Sequence, residues 1–294
     1  MDDSRFLIIG AYGQLGKALQ AKYPGAKAVD RDTFDMTDQA MLEAYDWSGV
    51  DVILNAAAYT NVDGAEAADG RPLAWKINAS AVGNVARVAA AHGVTMVHIS
   101  TDYVFDGTKA PHTETEDFSP LSVYGQTKAA GDIAVATNPK HYIVRISWLI
   151  GDGPNFVRTM MGLAAKNVSP TVVGDQIGRL TFTHTLVDGI HHLLSTKAAF
   201  GTYNLSNDGR AASWADITRA IFAAMGRNEL TVTDTTTEEY FASKTGVAPR
   251  PLKSELDLSK IKATGLELRD WEEELKEYVA GEQAQAGQAQ TAAN

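Results

Sequence analysis

The chain contains no cysteine, which excludes a disulfide framework, thiolate metal sites and a thiol nucleophile. It has no apolar run long enough to cross a bilayer, and no basic-then-apolar stretch of signal-peptide type opens it. A cytoplasmic protein with no membrane partner is the expectation. Basic charge is in deficit, with 26 Lys and Arg against 36 Asp and Glu and a formal charge of −10. That balance argues against nucleic acid as a partner but leaves room for a local basic pocket that takes a phosphorylated small molecule. The remaining composition, 45% hydrophobic and 21% charged over 294 residues, suits a large globular domain with a smaller one attached.

Strand-length apolar runs alternate with helical patterns through the first half. Strands are predicted at Phe6–Ile9, Ala26–Val29, Val52–Asn55, Thr95–Ser100 and Tyr142–Ser147. Helices are predicted at Gly13–Lys22, Gln39–Tyr45, Ala67–Ala91 with an interruption near Gly70–Pro72, and Val123–Val135. The alternation predicts an α/β fold, a Rossmann-type doubly wound parallel sheet, with a smaller α+β substrate domain towards the carboxyl end. Continuous apolar strands fit a sheet buried on both faces.

The second half is less regular, with short strands at Thr171–Val173, Gly201–Leu205 and Leu230–Thr233. Its helices are predicted at Asn155–Lys166, Thr183–Leu194, Ser213–Met225 and Asp270–Ala280. The predicted division gives residues 1–148 and a returning segment near 182–205 to the dinucleotide domain. Residues 149–181 and 206–280 form the substrate domain. The Ala/Gln-rich stretch 281–294 is predicted to be disordered.

Gly10, Gly13 and Gly16 follow a strand and open a helix, the context that a dinucleotide fingerprint requires. Gly10 permits a tight turn, Gly13 close backbone approach to a pyrophosphate, and Gly16 close helix packing. Free N–H groups at the helix start attract phosphate. A bare strand-to-helix turn has the same triplet, so the decision lies with residues further along the chain. The next strand ends at Asp30, suited to a ribose hydroxyl, and then comes Arg31, suited to a 2′-phosphate. Asp35 and Met36 offer adenine contacts. The pair leaves NADPH and NADH both open, with NADPH favoured.

At the chemical end, "HISTDYVFDG" breaks from a buried strand at Thr101, and "VYGQTKAAGD" carries Tyr124 and Lys128 four apart on one helical face. An ammonium beside a phenol lowers the phenol's pKa and makes it a usable acid. Thr101, at the carboxyl end of its strand, can bond a substrate oxygen. Tyr-x-x-x-Lys recurs by chance on amphipathic helices. Its occurrence after the glycines, Asp30 and Thr101 is what gives it weight.

With these residues in place the chain resembles an extended short-chain dehydrogenase/reductase, and within that superfamily the dTDP-4-dehydrorhamnose reductase family. The matching stretches include "GAYGQLG", "VILNAAAYTNVDGAE", "STDYVFDG", "PLSVYGQTK", "RISWLIG", "GDQIGR" and "RPLKSELD". The resemblance implies reduction of the C4 ketone of a dTDP-linked 4-keto-6-deoxy sugar by NADPH or NADH, as the last step of dTDP-L-rhamnose synthesis. It implies a catalytic set of Thr101, Tyr124 and Lys128, with Asn78 supporting the lysine through water. It puts Tyr12, Gln14, Leu15, Ala56, Ala57, Ala58 and Thr60 beside the dinucleotide, together with the glycines, Asp30, Arg31, Asp35, Met36, Asn78, Tyr124 and Lys128. It puts Val62, Asp102, Tyr103, Trp148 and Arg250 on the sugar nucleotide, together with Thr101 and Tyr124.

Plainer roles compete at several of these positions: a junction core residue for Trp148, a helix-end staple for Val62, a turn cap for Asp102, a surface ion pair for Arg250. His92 and His98 read as structural, and Glu114–Asp117 as a solvated loop. Some family members form dimers bridged by Mg²⁺ through glutamates; the matching positions here are Ala18 and His184, so no metal and a monomer or weak homodimer are expected. A first strand so near Met1 is compatible with a domain released from a larger fusion, and a link to an upstream epimerase is left open. Alternatives are a ketoreductase giving the 6-deoxy-L-talose epimer and a non-catalytic NADP-binding regulatory subunit. A sugar-nucleotide dehydratase is disfavoured, because Tyr103 stands where its pattern carries glutamate after Asp102.

Overall fold

The computed structural model describes residues 1–292, and side chains through 288. Strand β1 (Phe6–Ile9) leads into helix α1 (Gln14–Lys22), β2 (Lys27–Val29), α2 (Gln39–Ala44) and β3 (Val52–Asn55). Helix α3 (Gly70–Trp75) continues through a π-helical stretch, Lys76–Ala81, into α4 (Val82–Ala91). The expected break at Gly70–Pro72 is instead a helix start. Pro72 falls in the first turn of α3, where a missing N–H costs nothing. β4 (Thr95–Thr101), α5 (Val123–Val135) and β5 (His141–Ile146) complete the alternation.

The chain then builds a second lobe from β6 (Leu149–Ile150), α6 (Phe156–Ala165), β7 (Thr171–Val173), β8 (Ile177–Gly178) and β9 (Thr181–Phe182). It returns through α7 (Thr183–Thr196) to β10 (Gly201–Asn204), which pairs in parallel with β5. The main sheet is therefore six parallel strands in the order β2-β1-β3-β4-β5-β10. Alternate side chains of each strand enter opposite cores. Phe6 and Ile8 join Leu15, Leu19, Leu186 and Ile190 on one face, while Leu7 and Ile9 join Leu42, Val85 and Val135 on the other.

β11 (Ala212–Ser213), α8 (Trp214–Ala224), β12 (Thr233–Thr235), α9 (Thr237–Phe241), α10 (Ser259–Lys262) and α11 (Trp271–Ala292) finish the chain. Val157, Ile217, Ile221, Trp271 and Leu275 give the second lobe its own core. The strand expected at Leu230–Thr233 starts later, because the parallel pairing with β7 begins at Thr233 while Leu230 packs against that core.

The predicted disorder from 281 is also corrected. α11 runs on to Ala292, and Arg158 clamps Glu282 with Nε–Oε2 at 2.7 Å. Alanine and glutamine are good helix formers, so a segment without a large apolar face extends a helix that is already anchored. Residues 293–294 of that expectation lie outside the described residues. No helix among the described residues is long and apolar enough to cross a membrane.

Candidate active site

The carboxyl ends of β1, β2, β3 and β4 open on one side of the sheet, where strand order reverses between β1 and β3, the crevice that receives ligands in such sheets. A cavity of about 290 Å³ there is lined by Gly10, Gly13, Asp30, Arg31, Phe34, Asp35, Met36, Ala56, Ala57 and Ala58, with Leu73, Lys76 and Ile77 opposite. Gly10 has φ +84, and a Cβ on Gly16 would lie 2.1 Å from the Gly10 oxygen. That contact makes α1 ride directly on the turn. Gly13 caps α1 with no side-chain bond to the first turn, so its N–H groups are available to an anion.

These features fit a dinucleotide along the turn, with ribose and adenine towards Asp30–Met36. Asp30 accepts from the N–H groups of Tyr12 (3.2 Å) and Arg31 (2.6 Å), which orients both residues. Burial opposes ionisation of Asp35, yet bonds from Thr37 and the charges of Arg31 and Lys76 hold its carboxyl below the ordinary range.

Some expected cofactor residues do not line this cavity. Leu15 points into the core, so only its backbone belongs to the turn. Tyr12 is 72% exposed, and Thr60 is also exposed. Gln14 donates to Pro154 O at 3.0 Å, tying the glycine loop to the second lobe. Asn78 accepts from Tyr59 N–H (2.8 Å) and donates to Tyr59 O and Thr127 Oγ1. It braces the loop after β3 and α5, so its direct bonds are structural.

Tyr124 and Thr101 come together because α5 sits hard against the turn after β4. Ser122 caps α5 through Gly125 N–H at 3.1 Å, and a Cβ on Gly125 would lie 2.2 Å from Tyr103 O. Thr101 Oγ1 donates to Asp102 Oδ1 at 2.9 Å, accepts from Tyr103 N–H and interacts with the Tyr124 phenol. Lys128, one turn on, is buried. Its Nζ donates to Ile99 O at 2.6 Å and lies 3.3 Å from His98 Nε2.

The expected lowering of the Tyr124 pKa is corrected. Burial and the neighbouring Asp102 charge push the phenol up, opposed by Thr101. The Lys128 amine is itself pulled down to about 8 by burial, opposed by Asp132. Its bonds go to β4, and the phenol therefore stays protonated as an acid must before it acts.

Of the residues matched to the sugar nucleotide, Asp102 bonds Thr101 and Tyr103 packs on Tyr124. Tyr103 packs edge-on to Tyr124, ring centroids 5.7 Å apart. Asp102 is buried and pushed up to about 6, with nearby Ser254 and Thr101 hydroxyls opposing; its Oδ2 has no partner among the described residues. Arg250 Nη2 bonds Asp63 Oδ1 at 2.9 Å, and its buried Nη1 is likewise unpartnered. Val62 is half-buried in the turn before Asp63.

Trp148 has φ +45, a left-handed conformation costly for a bulky residue, and stacks on Trp214 at 3.8 Å. Ser254, Asp63 and Lys76 were not singled out from sequence; only their neighbours in matched stretches pointed to them. Glu114–Asp117 is not merely solvated. Glu116 pairs with buried His112 at 3.0 Å, and Glu114 accepts from Asn204 N–H at 3.0 Å. His184 pairs with Glu274, and no group of three or more metal-ligating side chains assembles among the described residues.

The RmlD substrate binding domain profile matches residues 4–284. The dTDP-4-dehydrorhamnose reductase of Mycolicibacterium smegmatis is 36% identical over 286 residues, covering 94% of this chain and 85% of that protein. The chain belongs to the dTDP-4-dehydrorhamnose reductase family. A crystal structure of the Clostridium acetobutylicum reductase shares 38% identity and a TM-score of 0.86, covering 95% of this chain and 99% of the other. The Bacillus anthracis reductase in complex with NADP shares 34% identity and a TM-score of 0.86, covering 96% and 100%.

Proposed function

We propose that this family member reduces the C4 ketone of dTDP-4-dehydro-β-L-rhamnose to dTDP-β-L-rhamnose with NADPH, closing dTDP-L-rhamnose biosynthesis. The observation that carries the reading is the contact of buried Thr101 with the half-buried Tyr124 phenol at the carboxyl end of β4, the same edge of the parallel sheet on which the glycine turn lines a cavity. Gly10 and Gly13 with Ala56–Ala58 hold the pyrophosphate side, while Asp30, Arg31, Asp35, Met36 and Lys76 hold the adenosine. When bound, the cofactor supplies hydride to C4.

Tyr124 gives its proton to the O4 oxygen, so that one hydride and one proton convert ketone to alcohol. Thr101 bonds the same oxygen, and Lys128, one turn along α5, tunes the acid. Asp102, Tyr103, Val62 and Trp148 hold the sugar. Arg250 meets the diphosphate, which supplies the acceptor that its Nη1 lacks.

The second lobe, residues 149–181 and 206–280, is the substrate domain in this reading. NADPH and a nucleotide sugar are cytoplasmic metabolites, which supports a cytoplasmic location. Ala18 offers no ligand atom and His184 is engaged by Glu274, which supports a monomer or a weak homodimer without a bridging cation; sedimentation velocity with and without Mg²⁺ tests this.

The reaction is tested by following NADPH oxidation with the 4-keto sugar nucleotide and assigning the product by NMR. Turnover to the rhamno alcohol is expected. A talo product would reassign the specificity. Tight NADPH binding with no oxidation would make the chain a binding subunit and end the proposal.

A further inference from the structure

Lys128 has a neighbour that the proposed reaction does not use. His98 is fully buried on β4, its Nε2 3.3 Å from Lys128 Nζ and its Nδ1 3.1 Å from Nδ2 of Asn55, its register partner on β3. The Asn55 amide is oriented by the backbone. Ala57 N–H donates to its Oδ1 at 3.2 Å, and an N–H can only donate, so nitrogen Nδ2 is what faces the ring. The ring therefore accepts at Nδ1.

Burial holds the imidazole well below its usual range, so it is neutral and carries one N–H. That hydrogen sits on Nε2 and points at Lys128. An ammonium has no lone pair to receive it, whereas an amine accepts it while still donating to Ile99 O.

We infer that His98, locked by Asn55 as the Nε2–H tautomer, is a positioning residue that favours the free-amine form of Lys128. The groups facing Lys128 set the balance. Asp132, one turn along α5, favours ammonium, but its carboxylate is shared with Arg145 of β5 at 3.1 Å. Tyr124 lies one turn back on α5. The consequence is a lysine that exchanges its proton near working pH instead of holding it fixed. The functional weight of this rests on the proposed part of Lys128 in the reaction.

The test uses cofactor-free protein labelled with ¹⁵N-histidine and ¹³C-lysine. The ¹⁵N shifts of His98 are expected to show a pyrrole-type Nε2 and an acceptor Nδ1, and an Nδ1–H tautomer overturns the inference whether or not any variant folds. The Lys128 resonance, assigned by its loss in Lys128→Met, is expected to titrate about one pH unit higher in His98→Phe, the worth of one hydrogen bond. A fall or no change overturns the inference, because a ring that accepted from ammonium would shift it the other way. Asn55→Asp is expected to move the ring hydrogen to Nδ1 and raise the Lys128 titration with the ring retained.

The pH profile of kcat separates the two claims. If the lysine titration rises in His98→Phe while the profile stays, the His98 assignment stands and the role of Lys128 in turnover falls.

Discussion

Arg250 Nη2 bonds Asp63 Oδ1 at 2.9 Å, joining the last third of the chain to the loop after β3. Asp63 also accepts from Ala248 N–H at 3.0 Å, so one carboxylate positions the segment that brings in Arg250. Removal of the guanidinium in Arg250→Ala should raise KM for the sugar nucleotide by about 10- to 100-fold, the value of one charged hydrogen bond or two. kcat should change far less, because O4 chemistry is remote from the diphosphate. Steady-state kinetics decide, and an unchanged KM would leave Arg250 a plain surface pair.

Tyr124→Phe deletes the proton donor and keeps the ring. Reduction should fall by about 10²- to 10⁴-fold, while NADPH affinity, measured by fluorescence titration, stays within a few-fold. Near-normal turnover would transfer the acid role to another group.

The fold was readable because β1, β3, β4 and β5 are continuous apolar strands separated by helical periods, and both cores use the alternation they encode. The glycine turn and the Tyr124–Lys128 spacing were readable for the same local reason. What escaped depends on contacts between distant segments. Nothing near Asp63 announces Arg250, 187 residues away, and nothing in "HIS" announces that Asn55 orients the ring of His98. Low complexity after Gly281 concealed helix propensity, and spacing alone put Lys128 on the phenol when burial and the Ile99 carbonyl draw it to β4.

Asp102 links pH to stability. Burial pushes its carboxyl up to about 6 from an ordinary 3.8. Between those values the folded chain holds a proton that the unfolded chain has lost, so stability falls as pH rises through the window and remains lower above it. Asp102→Asn should remove that decline and stabilise the protein at pH 7 by on the order of 1–3 kcal/mol, while weakening sugar binding. Denaturant melts from pH 4 to 7 measure the slope, and a variant less stable than wild type at pH 7 would contradict the sign.

Cofactor choice should lie with two cations at the adenosine end. Arg31 and Lys76 both line the cavity beside Asp35, and both act on its carboxylate. A 2′-phosphate there would draw on both, whereas a ribose hydroxyl needs only an acceptor such as Asp30. Arg31→Ala combined with Lys76→Ala should therefore raise KM for NADPH by about 10-fold or more and leave KM for NADH nearly unchanged. The contrast between cofactors is the diagnostic, because general damage to the cavity would weaken both equally. An equal loss would return the choice to Asp30, and Asp30→Ala should then weaken NADH more than NADPH.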